Sequence, residues 1–363
     1  MINKKLIEIY NLSQKDFPKY QNQKSVIWED VLNGKNFEDE NNLINFRKNR
    51  KLSEGVDDAI NLQNTIGIIE KLELFDPEFL KKNLPIKNVG NSNMTKNLIG
   101  FYFDYGIIHH LKWFEDISKI IPKNLKVICE IGGGYGSLSR VILNNFESKY
   151  IMIDLPEMNL LSAFYLKEHF PNKNFYLYDD YLKDPSLKNI DNFDIFILPP
   201  WCVFNKNLKI DFFINARSMM EMNMEIVKKY FDLIHRHVSD EGFFLNINRY
   251  EKIVNNKKIC IHEYPYDNNW DVIISKQSFL QEHIHFLLTQ RKSKNFKNNI
   301  KDEIKKIKFI HDNTNALYTK GSFLLKIIDK SKQKIYIIIK KILLLFFKKN
   351  LKKIAKILYG MSN

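Results

Sequence analysis

Cysteine is scarce in this chain of 363 residues, which carries only Cys129, Cys202 and Cys260. The three are scattered without metal-ligand spacing, and two fall in apolar, strand-like segments. That usage excludes a disulfide framework and fits a reducing compartment. Long apolar runs are also missing: no uninterrupted stretch approaches the ~20 residues of a membrane-spanning helix. The start, Met1-Ile2-Asn3-Lys4-Lys5, leads into polar sequence, so no secretory leader is expected. Acidic residues are absent from Ser331 to Asn363, which holds nine lysines. Most of the formal charge of +14 therefore sits in that tail, and the body shows no basic stripe interleaved with aromatics. Nucleic acid is not an expected partner. With 44% hydrophobic residues, the chain has enough apolar sequence for one large domain or two ordinary ones.

What the chain does contain is concentrated in Val127-Ile128-Cys129-Glu130-Ile131-Gly132-Gly133-Gly134-Tyr135-Gly136. An apolar strand ends on the carboxylate Glu130, enters a glycine loop and restarts as a helix at Ser137. Glycines at alternate positions bring the backbone close to a ligand. A second apolar strand, Tyr150 to Ile153, ends on Asp154, where an acid meets the hydroxyls of a ribose. The dinucleotide fingerprint G-x-G-x-x-G places a pyrophosphate at a helix N-terminus. Here the third glycine comes one residue early, and an acid stands two residues before the first. This pattern resembles motif I of the class I S-adenosylmethionine methyltransferases. That cofactor has no phosphate and carries a cationic amino-acid end, so a carboxylate suits it and would repel a pyrophosphate. The resemblance implies that Gly132, Gly134 and Gly136 hold the methionine end. Glu130 would meet its ammonium directly or through water, and Asp154, with Leu155 beside it, the ribose.

Three parts are expected along the chain. Residues 1–120 read as a helical N-terminal region on the cap and substrate side, with helix faces at Leu43–Arg47 and Ile66–Leu72. Its last helix, Leu98 to Ile120, is rich in aromatics and packs on the sheet or over the cofactor. Residues 121–288 read as the cofactor-binding domain. Phe175–Asp179 and Phe193–Leu198 compete for the place of third strand, and further strands follow at Ile210–Ile214 and Gly242–Asn248. Strands alternating with helices predict a mostly parallel sheet with ligands beyond the strand carboxyl ends. Residues 289–363 read as a basic extension, Lys- and Asn-rich to about 309. From Lys332 to Leu358, Lys341, Lys348, Lys349, Lys352, Lys353 and Lys356 share one helical arc opposite Phe346, Phe347, Leu351, Ile354 and Leu358. Such a helix lies on an anionic membrane surface or packs on protein. The fold class is α/β: a Rossmann-like sheet with a helical N-terminal region and a basic amphipathic C-terminal helix.

A closer resemblance rests on five blocks in this order: Glu130–Gly136, Ile153-Asp154-Leu155-Pro156, Ile197-Leu198-Pro199-Pro200-Trp201, Ile214-Asn215-x-x-Ser218-Met219-x-Glu221-Met222, and Asn248-Arg249-Tyr250. With Glu263-Tyr264-Pro265-Tyr266-Asp267, over roughly residues 40–275, they are similar to a sugar O-methyltransferase family. The resemblance implies methyl transfer to a sugar hydroxyl in bacterial surface-polysaccharide or glycan assembly. The acceptor would be a sugar, a nucleotide-sugar or a lipid-linked glycan. The enzyme would be cytoplasmic, and peripheral on the inner face of the plasma membrane if the basic C-terminal helix binds lipid rather than protein.

A sugar hydroxyl needs a base to take its proton, and a placed base contributes ~10²–10⁴-fold. Glu221 is the first candidate, among Met219, Met220 and Met222, which would raise its pKa; its other reading is a helix cap. His109 and His110 come next, or else serve packing. Ser218, Tyr102 and Tyr264 are candidate substrate contacts. Trp201, Tyr102 and Trp270 stack on a ring or pack in the core; Trp201 is counted among the cofactor contacts. Asp179, Asp180 and Asp194 do not form a recognisable ligand set, and no metal site is assigned. Competing readings are a methyltransferase of another small molecule or of RNA, an inactive membrane-docked scaffold with the same fold, and a dehydrogenase, which the glycine spacing opposes.

Overall fold

The structure is a computed structural model that describes residues 2–19, 26–48, 51–52, 75–98, 100–185, 190–254, 257–278, 281–292 and 294–313. Helices α1 (Ile2–Asp16), α2 (Val26–Leu32), α3 (Glu40–Ile44) and α4 (Pro77–Asn83) precede a short hairpin, β1 (Lys96–Leu98) and β2 (Phe101–Phe103). Helix α5 (Tyr105–Ser118) leads into β3 (Val127–Ile131), α6 (Ser137–Leu143), β4 (Lys149–Ile153) and α7 (Pro156–His169). Then come β5 (Phe175–Tyr176), α8 (Tyr178–Lys183), β6 (Ile195–Leu198), β7 (Ile210–Ala216), α9 (Met224–His237) and β8 (Val238–Arg249). A second hairpin, β9 (Glu251–Val254) and β10 (Lys257–Cys260), is followed by β11 (Trp270–Ser278), β12 (Gln281–Arg291) and a helix α10 over 300–313.

Eight strands form one sheet in the order β11-β12-β8-β7-β3-β4-β6-β5. Strands β3 to β8 are parallel, and β12 runs antiparallel between β8 and β11. A parallel sheet is covered on both faces, so its strands are apolar throughout rather than alternating. Ile128, Cys129, Ile151, Phe196, Phe213 and Ile214 are accordingly all fully buried. The chain builds outward from β3 to β4 and β6, then returns to the other side of β3 with β7 and β8. That reversal opens a crevice at the carboxyl ends of β3 and β7, the position at which open α/β sheets bind ligands. The architecture is Rossmann-like, as the sequence implies.

Several boundaries differ from expectation. The third strand from the centre is β6, because β6 pairs with β4 while β5 is an outer edge of two residues. Phe175–Asp179 is not one strand: α8 begins at Tyr178, with the Asp180 carboxylate accepting the Leu177 amide. The aromatic helix does not begin at Leu98 either. Phe101–Phe103 pairs with Lys96–Leu98, and the helix waits for Asp104, whose side chain accepts the Ile107 amide at 2.8 Å. Residues 289–291 belong to β12, so the sheet runs past 288. The candidate helix face at Ile66–Leu72 and the basic segment Lys332–Leu358 lie outside the described residues. Among the described residues no helix is long and apolar enough to cross a membrane.

The N-terminal region is bound to the sheet by polar anchors as well as apolar ones. Arg47 and Asp104 form an ion pair at 2.6 Å, their side chains 3% and 5% exposed. Arg47 also stacks its guanidinium 4.8 Å from the ring of Tyr135 in the glycine loop. At the other side, the Tyr178 hydroxyl donates to Asp16 of α1 and accepts from the Trp201 indole. Truncating Asp104 removes the buried carboxylate from the Arg47 guanidinium and the cap from α5. Asp104→Ala is expected to lower stability by about 3–5 kcal/mol, read as a drop in the urea midpoint at unchanged slope.

Candidate active site

The crevice holds a cavity of about 110 Å³, walled by the glycine loop, Glu130, Asp154, Ser218, Glu221 and residues of two N-terminal helices. The loop geometry depends on glycine most strictly at Gly132. Its φ is +73°, and a Cβ there would lie 1.8 Å from the Ser218 hydroxyl oxygen. The backbone of β3 and the turn after β7 thus touch with no room for a side chain.

Glu130 is 2% exposed and directs one oxygen, Oε2, at two hydroxyls: Ser139 and Tyr150 each donate to it at 2.5 Å. Oε1 accepts no hydrogen bond from the described residues, and the residue lines the cavity. Burial raises its pKa, against the two hydroxyl hydrogen bonds that lower it. At the tip of β4, Asp154 accepts the Gly134 amide at 2.8 Å and the Leu155 amide at 2.7 Å. Burial by the surrounding walls outweighs these bonds and lifts the Asp154 pKa to about 7.

The opposite wall is set by buried asparagines. Asn215, at the end of β7, donates to the Ile131 carbonyl at 2.8 Å and accepts the Met219 amide at 3.1 Å. Asn248 donates to Asn215 and to Asn246, and its own oxygen takes the Met220 amide at 3.0 Å. Arg217 between them holds φ at +63°, locked by a 2.6 Å bond from its amide to the Ile247 carbonyl. A non-glycine residue in that region is strained and survives only where its neighbours over-determine it. The result is a rigid turn presenting Ser218 and Glu221.

Glu221 is held by two groups distant in sequence. Lys252 of β9 pairs with Oε1 at 2.6 Å, and the Trp28 indole of α2 donates to Oε2 at 3.1 Å. The expected apolar surround of methionines is therefore replaced by an ammonium and an indole. A capping role is also ruled out, because Asn223 caps α9 through the Ile226 amide. His110 lines the cavity from α5, with Nδ1 3.0 Å from the Ser137 hydroxyl, and Trp113 stands beside it. Trp28, Arg217 and Lys252 were not legible as site residues. An isolated tryptophan and a lysine among many carry no local signal.

The structure brings Glu130, Gly132, Gly134, Asp154, His110, Ser218 and Glu221 to one cavity and leaves other candidates outside it. Gly136 shapes the start of α6 with φ at +92°. Leu155 gives its amide to Asp154 and buries its side chain. His109 is buried between Tyr105 and Trp113. Trp201 anchors Tyr178, Tyr102 lies on the β1–β2 hairpin, and Tyr264 packs on Phe231. Trp270 is fully buried, its indole directed at His235. None of these lines that cavity.

No family model matches the chain, and no curated protein sequence does. Solved structures show likeness. One is an amino pentose methyltransferase from Micromonospora echinaspora with S-adenosylmethionine bound, 8% identical with a TM-score of 0.34, covering 51% of this chain and 92% of that one. Another is the mitomycin 7-O-methyltransferase, 12% identical with a TM-score of 0.33, covering 51% and 55%. A third is the PH0226 protein from Pyrococcus horikoshii, 10% identical with a TM-score of 0.36, covering 52% and 92%. This chain thus spans little more than half the length of the second. At such scores the fold assignment rests on the strand order itself.

Gly132→Ala meets both the positive φ and the Ser218 contact. The single variant is expected to lose well over the ~1–2 kcal/mol of a left-handed alanine. Adding Ser218→Gly should recover the steric part and leave the backbone part, as urea denaturation of the two variants would show.

Proposed function

We propose that the chain is an S-adenosylmethionine-dependent O-methyltransferase acting on a sugar hydroxyl in glycan assembly. The observation that supports this most is the convergence of Glu130, the glycine loop and Asp154 on the switch-point cavity. The donor set suits a nucleoside with a cationic amino-acid end. Glu130 Oε1 and the loop would hold the ammonium and carboxylate, and Asp154 would accept the ribose hydroxyls. The present cavity is below the ~300–1,000 Å³ typical of ligand sites. Withdrawal of Trp28, whose indole donates to Glu221 Oε2, would enlarge it.

When bound, the cofactor supplies an electrophilic methyl group for an in-line displacement. The protein's own part is to hold the acceptor oxygen in line, which lowers the barrier through orientation. Glu221, on the rigid turn, takes the proton of the sugar hydroxyl. Lys252 positions that carboxylate through Oε1, leaving Oε2 for the acceptor once Trp28 withdraws. His110 and Trp113 form the wall from α5. The sugar as acceptor rests on the order of the sequence blocks; the cofactor rests on the cavity.

Calorimetry with S-adenosylhomocysteine tests the pocket. Asp154→Ala should weaken binding at least tenfold, and unchanged affinity would reject the assigned site. The ribose hydroxyls donate to an ionised carboxylate, so only deprotonated Asp154 is competent. With a pKa of about 7, affinity should rise with pH through neutrality and be about tenfold stronger at pH 8 than at pH 6. Asp154→Asn should flatten that dependence. The chemistry is tested separately, on a panel of sugars and nucleotide-sugars. Glu221→Gln should lose about 10²–10⁴-fold in kcat with S-adenosylhomocysteine affinity retained; full activity would remove Glu221 as the base.

A further inference from the structure

A second cluster of reactive side chains lies where the β9–β10 hairpin meets α10, and none of its members lines the switch-point cavity. Cys260 and Glu251 are directly opposed register partners across the hairpin. That pairing sets their Cβ atoms about 5 Å apart on one face. His311 enters from α10, its Nε2 3.0 Å from Glu251 Oε2. The thiol sulfur, a carboxylate oxygen and a ring nitrogen of these three all lie within 4.8 Å of one another. His262 belongs to a second such group that shares Cys260, and its ring stands 5.4 Å from that of His311. Its Nδ1 is buried and accepts or donates no hydrogen bond among the described residues. The other nitrogen of His311 is 3.2 Å from the Asp312 carboxylate.

We infer that this cluster is a zinc site, with Cys260, His262, His311 and Glu251 as ligands. A thiolate, two imidazoles and one carboxylate form a borderline-soft set suited to tetrahedral zinc, whereas calcium and magnesium take oxygen ligands. Zinc–ligand bonds of ~2.0–2.3 Å put ligand atoms about 3.3–3.8 Å apart. Glu251, Cys260 and His311 would thus close by about 1 Å around the ion, and His262 would turn in from the neighbouring group that shares Cys260. Asp312 behind His311 is the outer carboxylate that fixes the tautomer and orientation of a metal-bound imidazole. The place already draws positive charge: the exposed Lys258 ammonium sits 2.9 Å from Glu251 Oε2 and would swing into solvent. Glu263, the other acid within reach, is exposed, so Glu251 is the better ligand.

On binding, the Cys260 thiol gives its proton to solvent and its sulfur forms the bond to zinc; no electron transfer is involved. Because ligand deprotonation is coupled to metal binding, affinity should weaken as pH falls. The ion would tie α10 to β9. Because Glu251 adjoins Lys252 in that strand, the metal would also steady the ammonium that holds Glu221.

The test uses the untagged full-length chain, purified without chelator and analysed by inductively coupled plasma mass spectrometry. About one zinc per chain is expected. Cobalt added to the stripped protein should give a thiolate-to-cobalt charge-transfer band, and Cys260→Ser should abolish both signals. Asp312→Asn, at an exposed position that does not threaten folding, should weaken zinc affinity about 10–100-fold. Substoichiometric zinc together with no cobalt band would overturn the proposal and leave the cluster as an ion network of His311, Glu251 and Lys258.

Discussion

The site depends on one buried amide, that of Asn215. It spans three strand ends: its nitrogen closes the last carbonyl of β3, and its oxygen takes the Met219 amide and one N–H of Asn248 on β8. Backbone groups at the carboxyl edge of a parallel sheet have left their ladders and need partners if they stay dry. Asparagine supplies both donor and acceptor from one planar group. By satisfying these groups, it also fixes where the chain turns. Ser218 comes to rest on Gly132, and Glu221 faces the cavity. A network of this kind is stable only when every member is paired, and here each link reaches the next.

The N-terminal region completes the site rather than merely covering it. Arg47, neutralised by Asp104, stacks on Tyr135 and so presses the glycine loop into its shape. Helix α2 brings Trp28 to Glu221, and α5 brings His110 and Trp113. The dry surround explains the electrostatics. Glu130 and Asp154 both titrate above the ordinary carboxylate range because burial outweighs the hydrogen bonds each accepts. A cationic ligand end beside Glu130 would supply the charge that the walls withhold.

Legibility followed distance along the chain. The glycine loop and the acids of β3 and β4 stood out because strand, loop and helix follow one another within a few residues, and each constrains its neighbours. The rank of the third strand was open, since Phe175–Tyr176 and Ile195–Leu198 are both short and apolar, and only pairing with β4 decides between them. Glu221 was picked out, but its surroundings were misread: Met219 and Met220 are buried in the core, while the partners come from 31 and 193 residues away. Trp201 and Tyr264 do not line the cavity, for a common reason. A large ring near a strand end is as useful to packing as to binding.

The sequence by itself determined the parallel sheet, its ligand-binding end and the chemical character of the loop, because these follow from local periodicity, glycine and the charge at strand tips. Only the tertiary structure decided which side chains share a space: Lys252 and Trp28 on Glu221, Ser218 on Gly132, and His311 beside Cys260. Those meetings depend on how far the chain travels before it returns. No local pattern of residues records that.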